Sequence, residues 1–171
     1  MPTQYDFLSG IGFDVHAIVR TDLKNNTIPL CGIAIPSPFK IIAHSDGDVA
    51  LHALVDAMLG ALAEGDIGEH FSPNDPKWKN KNSAYFVTHA LQLCENKKAI
   101  LVNVDITIIC EEPKILAYKK SMRENIAKLL FLPIERVNIK ATTTEKLGFL
   151  GRKEGIAAQA IVSIKIPIIE K

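Results

Sequence analysis

The sequence has almost no net charge, few cysteines and no long apolar run. Its 20 Lys and Arg nearly balance its 19 Asp and Glu, so the formal net charge is +1. A protein that binds nucleic acid or an anionic membrane through its overall charge needs a larger basic excess. We therefore expect neither partner, and an anionic ligand must be held by a local site.

The three cysteines are odd in number and widely spaced, which fits reduced thiols better than a disulfide framework. No stretch approaches the ~18 consecutive apolar residues of a membrane-spanning helix. The first ten residues, MPTQYDFLSG, lack the basic and apolar regions of a signal peptide. These absences predict a cytoplasmic protein, in a bacterial cytosol or, as a mature form, in a plastid.

The chain is predicted to form a single domain over residues 1–171, since this length buries roughly two thirds of the unfolded surface without help from a metal or a disulfide. Apolar alternation over residues 5–19 predicts a strand, in which Gly10 and Gly12 let another element approach the backbone. A second apolar run over residues 28–35 follows a turn, so the two runs are predicted to form a hairpin.

Helical spacing of apolar residues predicts three helices, over residues 49–63, from near Ser83 onward, and over residues 115–130. Ser45 is the predicted N-cap of the first helix, because Asp48 follows three residues later in the position of a capping box.

Three later segments, ILVNVDITII, RVNIKATTT and GIAAQAIVSIKI, are rich in β-branched residues and predict further strands. The order of elements predicts an α+β fold, a mixed β-sheet with helices packed on one face. Apolar residues occur at both parities in the first and third of these strands, which is typical of a sheet covered on both sides. The second cover is predicted to be another subunit.

Asp14 and His16 lie two residues apart on the first predicted strand, so both side chains point to one face of the sheet. His52 lies on the first predicted helix, one turn from Asp48 and one turn from Asp56. One carboxylate and two imidazoles form a reasonable zinc set with an open fourth position. The alternatives are a core histidine that donates to Asp48 or Asp56, and a solvated pair on an edge strand.

A second concentration of unusual residues is KATTTEKLGFLGRKEG, residues 140–155. Three threonines that leave a strand can present hydroxyls and amides to phosphate oxygens, and Glu145 is a candidate ligand for a hard metal ion. The alternative is that the threonines serve β-propensity and the charges are solvated. His70 and His89 have no supporting neighbours in the sequence and are interpreted as structural.

Five segments, GFDVH, AHSDGDVALHAL, GDIG, VDITIICEEPKI and KATTTEKLGFLGRKEGIA, resemble the 2-C-methyl-D-erythritol 2,4-cyclodiphosphate synthases of the non-mevalonate isoprenoid pathway, in order and along nearly the whole chain. The resemblance implies a homotrimer whose sheets face a central axis and whose active sites lie between subunits. It also implies a reaction on a cytidine diphosphate derivative, in which a 2-phosphate attacks the β-phosphorus of the same molecule and CMP leaves.

The resemblance further implies that Asp14, His16 and His52 bind Zn²⁺, that Glu145 binds Mg²⁺ or Mn²⁺, and that His44 and Thr143 are catalytic. It places the cytidine between residues 110–116 and residues 142–144. The residues implied to contact substrate are Asp14, His16, His44, Ser45, Asp56, Asp66, Gly68, Phe71, Asp75, Cys110, Pro113, Lys114, Ile115, Leu116, Thr142, Thr143, Thr144, Glu145, Phe149 and Arg152. Asp56 could instead be a hydrogen-bond partner that supports His52.

Two other functions fit the same residues. One is a trimeric, metal-dependent module that binds a prenyl diphosphate without turnover, and it would have little use for a second metal at Glu145. The other is a metallophosphoesterase, which would release free phosphate or a linear product in place of a cyclic one.

Overall fold

The computed structural model describes residues 3–72, 74–79 and 81–168, and its main element is a mixed five-stranded sheet. Its strands are β1 (Tyr5–Arg20), β4 (Phe39–Ile42), β5 (Ile100–Ile109), β6 (Val137–Thr142) and β7 (Gly155–Pro167). The spatial order is β4-β1-β7-β5-β6, and only the β5–β6 pair is parallel within this sheet. The predicted mixed sheet with helices in one small domain is confirmed.

Three of the helices lie between β4 and β5 along the chain, one lies between β5 and β6, and one lies between β6 and β7. The helices are α1 (Val49–Leu62), α2 (Ile67–His70), α3 (Ala84–Asn96), α4 (Lys119–Leu130) and α5 (Gly148–Gly151), with short 3₁₀ turns at Pro76–Trp78, Leu116–Tyr118 and Ile134–Arg136. Helix α1 packs on β1 and β7, α3 packs on α1, and α4 packs on β6. Among the residues described, none of the helices has both the length and the apolar character that a membrane crossing requires.

The predicted hairpin between the first two apolar runs is wrong. The second run divides into β2 (Thr27–Leu30) and β3 (Ile33–Pro36), which pair with each other in a separate two-stranded sheet. The intervening Cys31 and Gly32 both have positive φ, 53° and 76°, as a two-residue type I′ turn requires. Strand β1 pairs instead with β7 along most of its length and with β4 at its end.

The predicted N-cap at Ser45 is also wrong, because Asp48 caps α1. Its fully buried carboxylate accepts hydrogen bonds from the backbone N–H of Ala50 and Leu51 in the first turn of the helix, at 3.1 and 3.0 Å. It also accepts from Cys31 N–H at 3.0 Å and Gly32 N–H at 2.6 Å in the β2–β3 turn. One carboxylate therefore satisfies a helix end and a distant turn together, which sequence spacing alone does not show.

Gly10 and Gly12 let α1 approach the backbone of β1. The sequence predicts such a close approach at these glycines without identifying the element. A Cβ added at Gly12 would overlap the Ala53 carbonyl oxygen and lie 2.7 Å from the Ala57 nitrogen. A Cβ at Gly10 would lie 3.0 Å from Ala61 Cα and overlap other backbone atoms of the helix. The helix can therefore approach the strand only where side chains are absent.

The opposite face of the sheet is apolar and exposed in the single chain. Odd-numbered residues of β1 point to it, and Phe7, Ile11 and Phe13 are 70%, 61% and 53% exposed. Ile161 of β7, which is the register partner of Ile11, adds to the same surface. A contiguous apolar surface of this kind marks an interaction site.

Candidate active site

Three donor atoms converge where β1 faces the start of α1. Asp14 and His16 occupy the even positions that follow Gly10 and Gly12, so their side chains lie on the face of the sheet that α1 covers. His52 lies in the first turn of α1. His52 Nδ1 is 2.9 Å from Asp14 Oδ2 and 3.0 Å from His16 Nε2, and His16 Nε2 is 3.1 Å from Asp14 Oδ2.

This donor set fits a zinc ion. One carboxylate oxygen and two imidazole nitrogens are common zinc ligands, and three ligands leave a tetrahedral position open for substrate. Burial lowers the pKa of His16, although the Asp14 carboxylate opposes this, and a lowered pKa favours the neutral imidazole that offers a lone pair. Asp14, His16 and His52 form the one group of at least three His, Cys, Asp or Glu ligand atoms found among the described residues.

The other nitrogen of His52 is also occupied. Nε2 lies 2.8 Å from Ser83 Oγ and 3.1 Å from Ser45 Oγ. The His52 imidazole bonds to neither the Asp48 nor the Asp56 carboxylate, because Asp48 caps α1 and Asp56 accepts from Ile67 N–H at 2.8 Å. The alternative of a core histidine that donates to either of these acids is therefore wrong.

The convergent atoms open into a cleft of about 240 Å³, which we call the histidine cleft. Its lining residues are Asp14, His16, His44, Ser45, His52, Ile67, Gly68, Phe71, Trp78 and Phe86. Seven of these were candidate site residues from the sequence, and Ile67, Trp78 and Phe86 were not. Phe86 is an apolar residue of α3 that is buried in the structure, so its residue type indicates a core position and gives no sign of a cleft.

The apolar wall of the cleft is an aromatic cluster around Phe71. Its ring centroid lies 4.6 Å from that of Phe86, 5.0 Å from Trp78 and 5.0 Å from His89. His89 Nε2 in turn lies 3.1 Å from His70 Nδ1. The two histidines that the sequence analysis interpreted as structural therefore contact each other. Both support this wall.

The GDIG segment forms a turn at the edge of the cleft. Asp66 caps α2 by accepting from Glu69 N–H at 3.0 Å, and Gly68 lines the cleft. Asp56 holds the turn to α1 through its bond from Ile67 N–H, and burial raises the pKa of its carboxyl. Hydrogen bonding thus places Asp56 as a support of this turn.

Asp75 lies outside the lining of the cleft. Its carboxylate accepts from Lys77 N–H at 3.1 Å and pairs with Lys77 Nζ at 2.7 Å. Within the predicted contact loop of residues 71–75, Pro73 lies outside the described residues. A substrate contact at Asp75 stays a prediction.

A second cavity, of about 210 Å³, lies between the end of β5 and the end of β6, and we call it the Pro113 pocket. Its lining residues are Cys110, Pro113, Lys114, Ile115, Leu116, Ala141, Thr142 and Thr143. All of these except Ala141 belong to the predicted cytidine site. Burial raises the pKa of Cys110 to about 12, so the residue lines the pocket as a neutral thiol.

The two acids that follow Cys110 are each engaged. Glu111 Oε1 accepts from Thr144 N–H at 3.1 Å and from Lys146 N–H at 3.3 Å, while Glu112 pairs with Lys153 at 2.6 Å. Glu111 therefore fastens the threonine turn to the Pro113 pocket, a role that sequence reasoning missed because the partners are 33 and 35 residues away.

The remaining candidates lie around this turn. Glu145 is exposed and has a φ of 53°, and Thr143 Oγ1 donates to its carboxylate at 3.2 Å. Arg152 forms two bonds with Glu154, both 3.0 Å long. The Phe149 ring lies beside Gly155, where an added Cβ would be 3.2 Å from it. Neither the histidine cleft nor the Pro113 pocket is lined by Phe149, Arg152 or Glu145.

The sequence and the fold both match known proteins. A model of the YgbB family matches residues 7–165. The chain is 51% identical to 2-C-methyl-D-erythritol 2,4-cyclodiphosphate synthase from Anaplasma phagocytophilum over 156 residues, which cover 91% of this chain and 93% of that protein.

Solved structures give the same result. The bifunctional IspDF from Campylobacter jejuni superposes with a TM-score of 0.84 at 42% identity, over 95% of this chain and 43% of that longer one. An IspF from Plasmodium falciparum in complex with CDP superposes with a TM-score of 0.81 at 36% identity, over 95% of this chain and 97% of the other.

Proposed function

This chain belongs to the YgbB family, and from that premise we propose that it converts 4-diphosphocytidyl-2-C-methyl-D-erythritol 2-phosphate to 2-C-methyl-D-erythritol 2,4-cyclodiphosphate and CMP. The 2-phosphate attacks the β-phosphorus of the same molecule, a cyclic diphosphate forms, and CMP leaves. The observation that carries this proposal is the convergence of Asp14, His16 and His52 beside an open cleft. The names of the relatives support the same reaction.

The protein mainly has to position a single substrate. Nucleophile and electrophile belong to one molecule, so no activated protein nucleophile is needed. Asp14, His16 and His52 would hold Zn²⁺, and Glu145 would hold Mg²⁺ or Mn²⁺ with phosphate oxygens completing its coordination. When bound, the two cations draw charge from the diphosphate and reduce repulsion between the attacking and leaving phosphates. His44 and Ser45 line the same cleft and would bind phosphate oxygens there.

We assign the cytidine to the Pro113 pocket. Its lining includes backbone groups around Pro113 that can bond to cytosine edges, and Thr142 and Thr143 can donate to phosphate oxygens. The CDP complex of the Plasmodium falciparum relative supports a cytidine nucleotide as ligand. Asp66 and Gly68, at the rim of the other cavity, would contact the methylerythritol, and Thr143 would stabilise the transition state.

The exposed apolar face and the family resemblance support a homotrimer. The odd-numbered residues of β1, Phe7, Ile11 and Phe13 among them, cannot remain in water at low cost, and copies of the same sheet around a common axis would bury them. The histidine cleft and the Pro113 pocket draw on different elements, so one subunit could supply each to a shared site.

The trimer is testable by mass. Light scattering at micromolar concentration should give three times the 18.8 kDa chain mass, and Phe13→Glu should dissociate the assembly because it places a charge in the apolar interface. Phe131→Glu is the matched control: Phe131 is 88% exposed but lies at the C-cap of α4, outside the strands of the sheet, and its variant should stay trimeric. A wild-type mass of 18.8 kDa would contradict the proposal.

Glu145→Gln tests the reaction itself. In the presence of Zn²⁺ and Mg²⁺, CMP release should fall by about a hundredfold or more, since the neutral amide is a poor ligand for the second cation. Affinity for CDP measured without Mg²⁺ should change little. Chromatography of the reaction products gives the CMP released and identifies the second product.

Glu135→Gln is the control for this loss, because Glu135 is exposed in a 3₁₀ turn and lies outside the lining of both cavities. It should release CMP at the wild-type rate. Free phosphate or a linear product from the wild-type protein would indicate a metallophosphoesterase. Absence of CMP from trimeric, zinc-loaded wild-type protein would refute the cyclase.

A further inference from the structure

A buried serine, Ser83, lies beside the His52 nitrogen that does not face Asp14 and His16, and it does not cap the helix that it precedes. Ser83 directly precedes α3, where serine commonly caps a helix through its hydroxyl. It makes no side-chain cap bond, and its φ and ψ of −64° and −20° are already helical. The residue is fully buried, and its Oγ lies 2.8 Å from His52 Nε2.

The Asp46 carboxylate accepts hydrogen bonds from both the backbone N–H and the hydroxyl of Ser83. Asp46 Oδ2 accepts from Ser83 N–H at 3.0 Å, and Asp46 Oδ1 accepts from the Ser83 hydroxyl in a short bond. A hydroxyl has a single proton. Because that proton is donated to the carboxylate, Ser83 Oγ can only accept from His52, and His52 Nε2 must therefore carry a proton.

The location of that proton determines what the other nitrogen can do. A neutral imidazole protonated at Nε2 has a lone pair at Nδ1. His52 Nδ1 is the atom that faces Asp14 Oδ2 and His16 Nε2, at 2.9 and 3.0 Å. The opposite tautomer would direct a proton into the site and could not bind a cation there.

We infer that Asp46 and Ser83 are positioning residues that hold His52 in the Nε2–H tautomer and in the ring orientation that binds zinc. The inference rests on the proposed zinc site and adds two residues to it. The backbone of Asp46 is also held to the segment before α3, since its N–H donates to the Lys81 carbonyl at 3.1 Å. The pair therefore couples the loop before α1, the start of α3 and the metal ligand.

Ser45 is the competing partner of the same nitrogen. Its Oγ lies 3.1 Å from His52 Nε2 and accepts from Gly47 N–H at 3.2 Å, which leaves its hydroxyl proton free. If Ser45 donated to Nε2, His52 would take the opposite tautomer. The shorter contact to Ser83, and the carboxylate that fixes the Ser83 proton, favour Ser83 as the partner.

The test is zinc affinity, measured by competition with a chromogenic chelator on metal-stripped protein. Ser83→Ala should weaken zinc binding by about 10- to 100-fold, the loss typical of removing a partner that orients a ligand. Ser83→Thr keeps the hydroxyl and should restore most of the affinity. Ser45→Ala should leave the affinity near that of the wild type, whereas tighter binding by Ser45→Ala would show that Ser45 sets the tautomer and would overturn the inference.

Ser37→Ala controls for the loss of a buried serine. Ser37 is 8% exposed, and its Oγ accepts from Phe39 N–H at 3.1 Å, outside the lining of the cleft. Its loss should reduce stability as Ser83→Ala does, yet leave zinc affinity unchanged. Equal zinc affinity in wild type and Ser83→Ala would refute the inference.

A second readout needs no metal. Nitrogen-15 NMR of the histidine side chains, in metal-free protein in mildly alkaline buffer, should show a proton on His52 Nε2 in the wild type and a smaller protonated fraction at Nε2 in Ser83→Ala. An unprotonated Nε2 in the wild type would contradict the inference even if zinc binds. A wild type that has the Nε2–H tautomer but binds no zinc would refute the zinc site, so the two failures are distinguishable.

Discussion

His52→Ala is expected to reduce bound zinc from one ion per chain to nearly none and to lower CMP release by about a thousandfold or more. Loss of one of three protein ligands leaves only Asp14 and His16 at the site. A bound cation contributes several kcal/mol to transition-state stabilisation, and about 1.4 kcal/mol corresponds to a tenfold change in rate. Elemental analysis after dialysis gives the zinc content, and the product assay gives the rate.

The same variant should remain folded, because the core of α1 and the sheet does not include the ion. Circular dichroism and light scattering check this. His89→Ala is the control: His89 is bonded to His70 outside the zinc ligands, and its variant should retain zinc. Stoichiometric zinc and wild-type turnover in His52→Ala would show that the ligand set is wrong, and unfolding of the wild type on chelation would show a structural ion.

Gly12→Ala is expected to destabilise the protein by about 3 kcal/mol or more. The added methyl group would overlap the Ala53 carbonyl oxygen and lie 2.9 Å from Asp56 Cβ, so α1 must move away from β1. Insertion into a packed interface costs about 1–3 kcal/mol, and backbone movement adds to this. Urea unfolding of the metal-free protein measures the loss of free energy.

The control lies on the helix side of the same interface. A Cβ at Gly60 would lie 3.7 Å from Ile11 O, an ordinary contact, and alanine favours a helix interior by up to about 1 kcal/mol over glycine. Gly60→Ala should therefore be as stable as the wild type or more so. Wild-type stability of Gly12→Ala would show that the helix does not require this close approach.

Gly12→Ala should also weaken zinc binding, although Gly12 is not a ligand. Ala53, whose carbonyl the methyl group displaces, directly follows His52, so movement of α1 carries His52 away from Asp14. The chelator competition described above measures this effect. Gly60→Ala, which leaves the helix in place, should bind zinc as the wild type does.

Local periodicity explains what sequence reasoning found. Strand β1 and helix α1 end within a few residues of their predicted bounds, since alternation and helical spacing are properties of neighbouring residues. The same periodicity places Asp14 and His16 on one face of a strand. Periodicity cannot specify hydrogen bonds between residues that are far apart in the chain. For this reason the sequence did not identify Asp48 as the helix cap or β4 as the second strand that pairs with β1.

The sequence by itself predicted Asp14, His16 and His52 as metal ligands, the threonine-rich segment of residues 140–155 as a phosphate site, and the resemblance to a family of cyclodiphosphate synthases, because each prediction depends on residue type and local spacing. Only the tertiary structure decided how His52 meets its partners. Gly12 lets α1 lie against β1, and Ser83 and Asp46, which are 37 residues apart, fix the proton on the imidazole. Bonds between remote segments form only when the chain packs, and no local pattern records them.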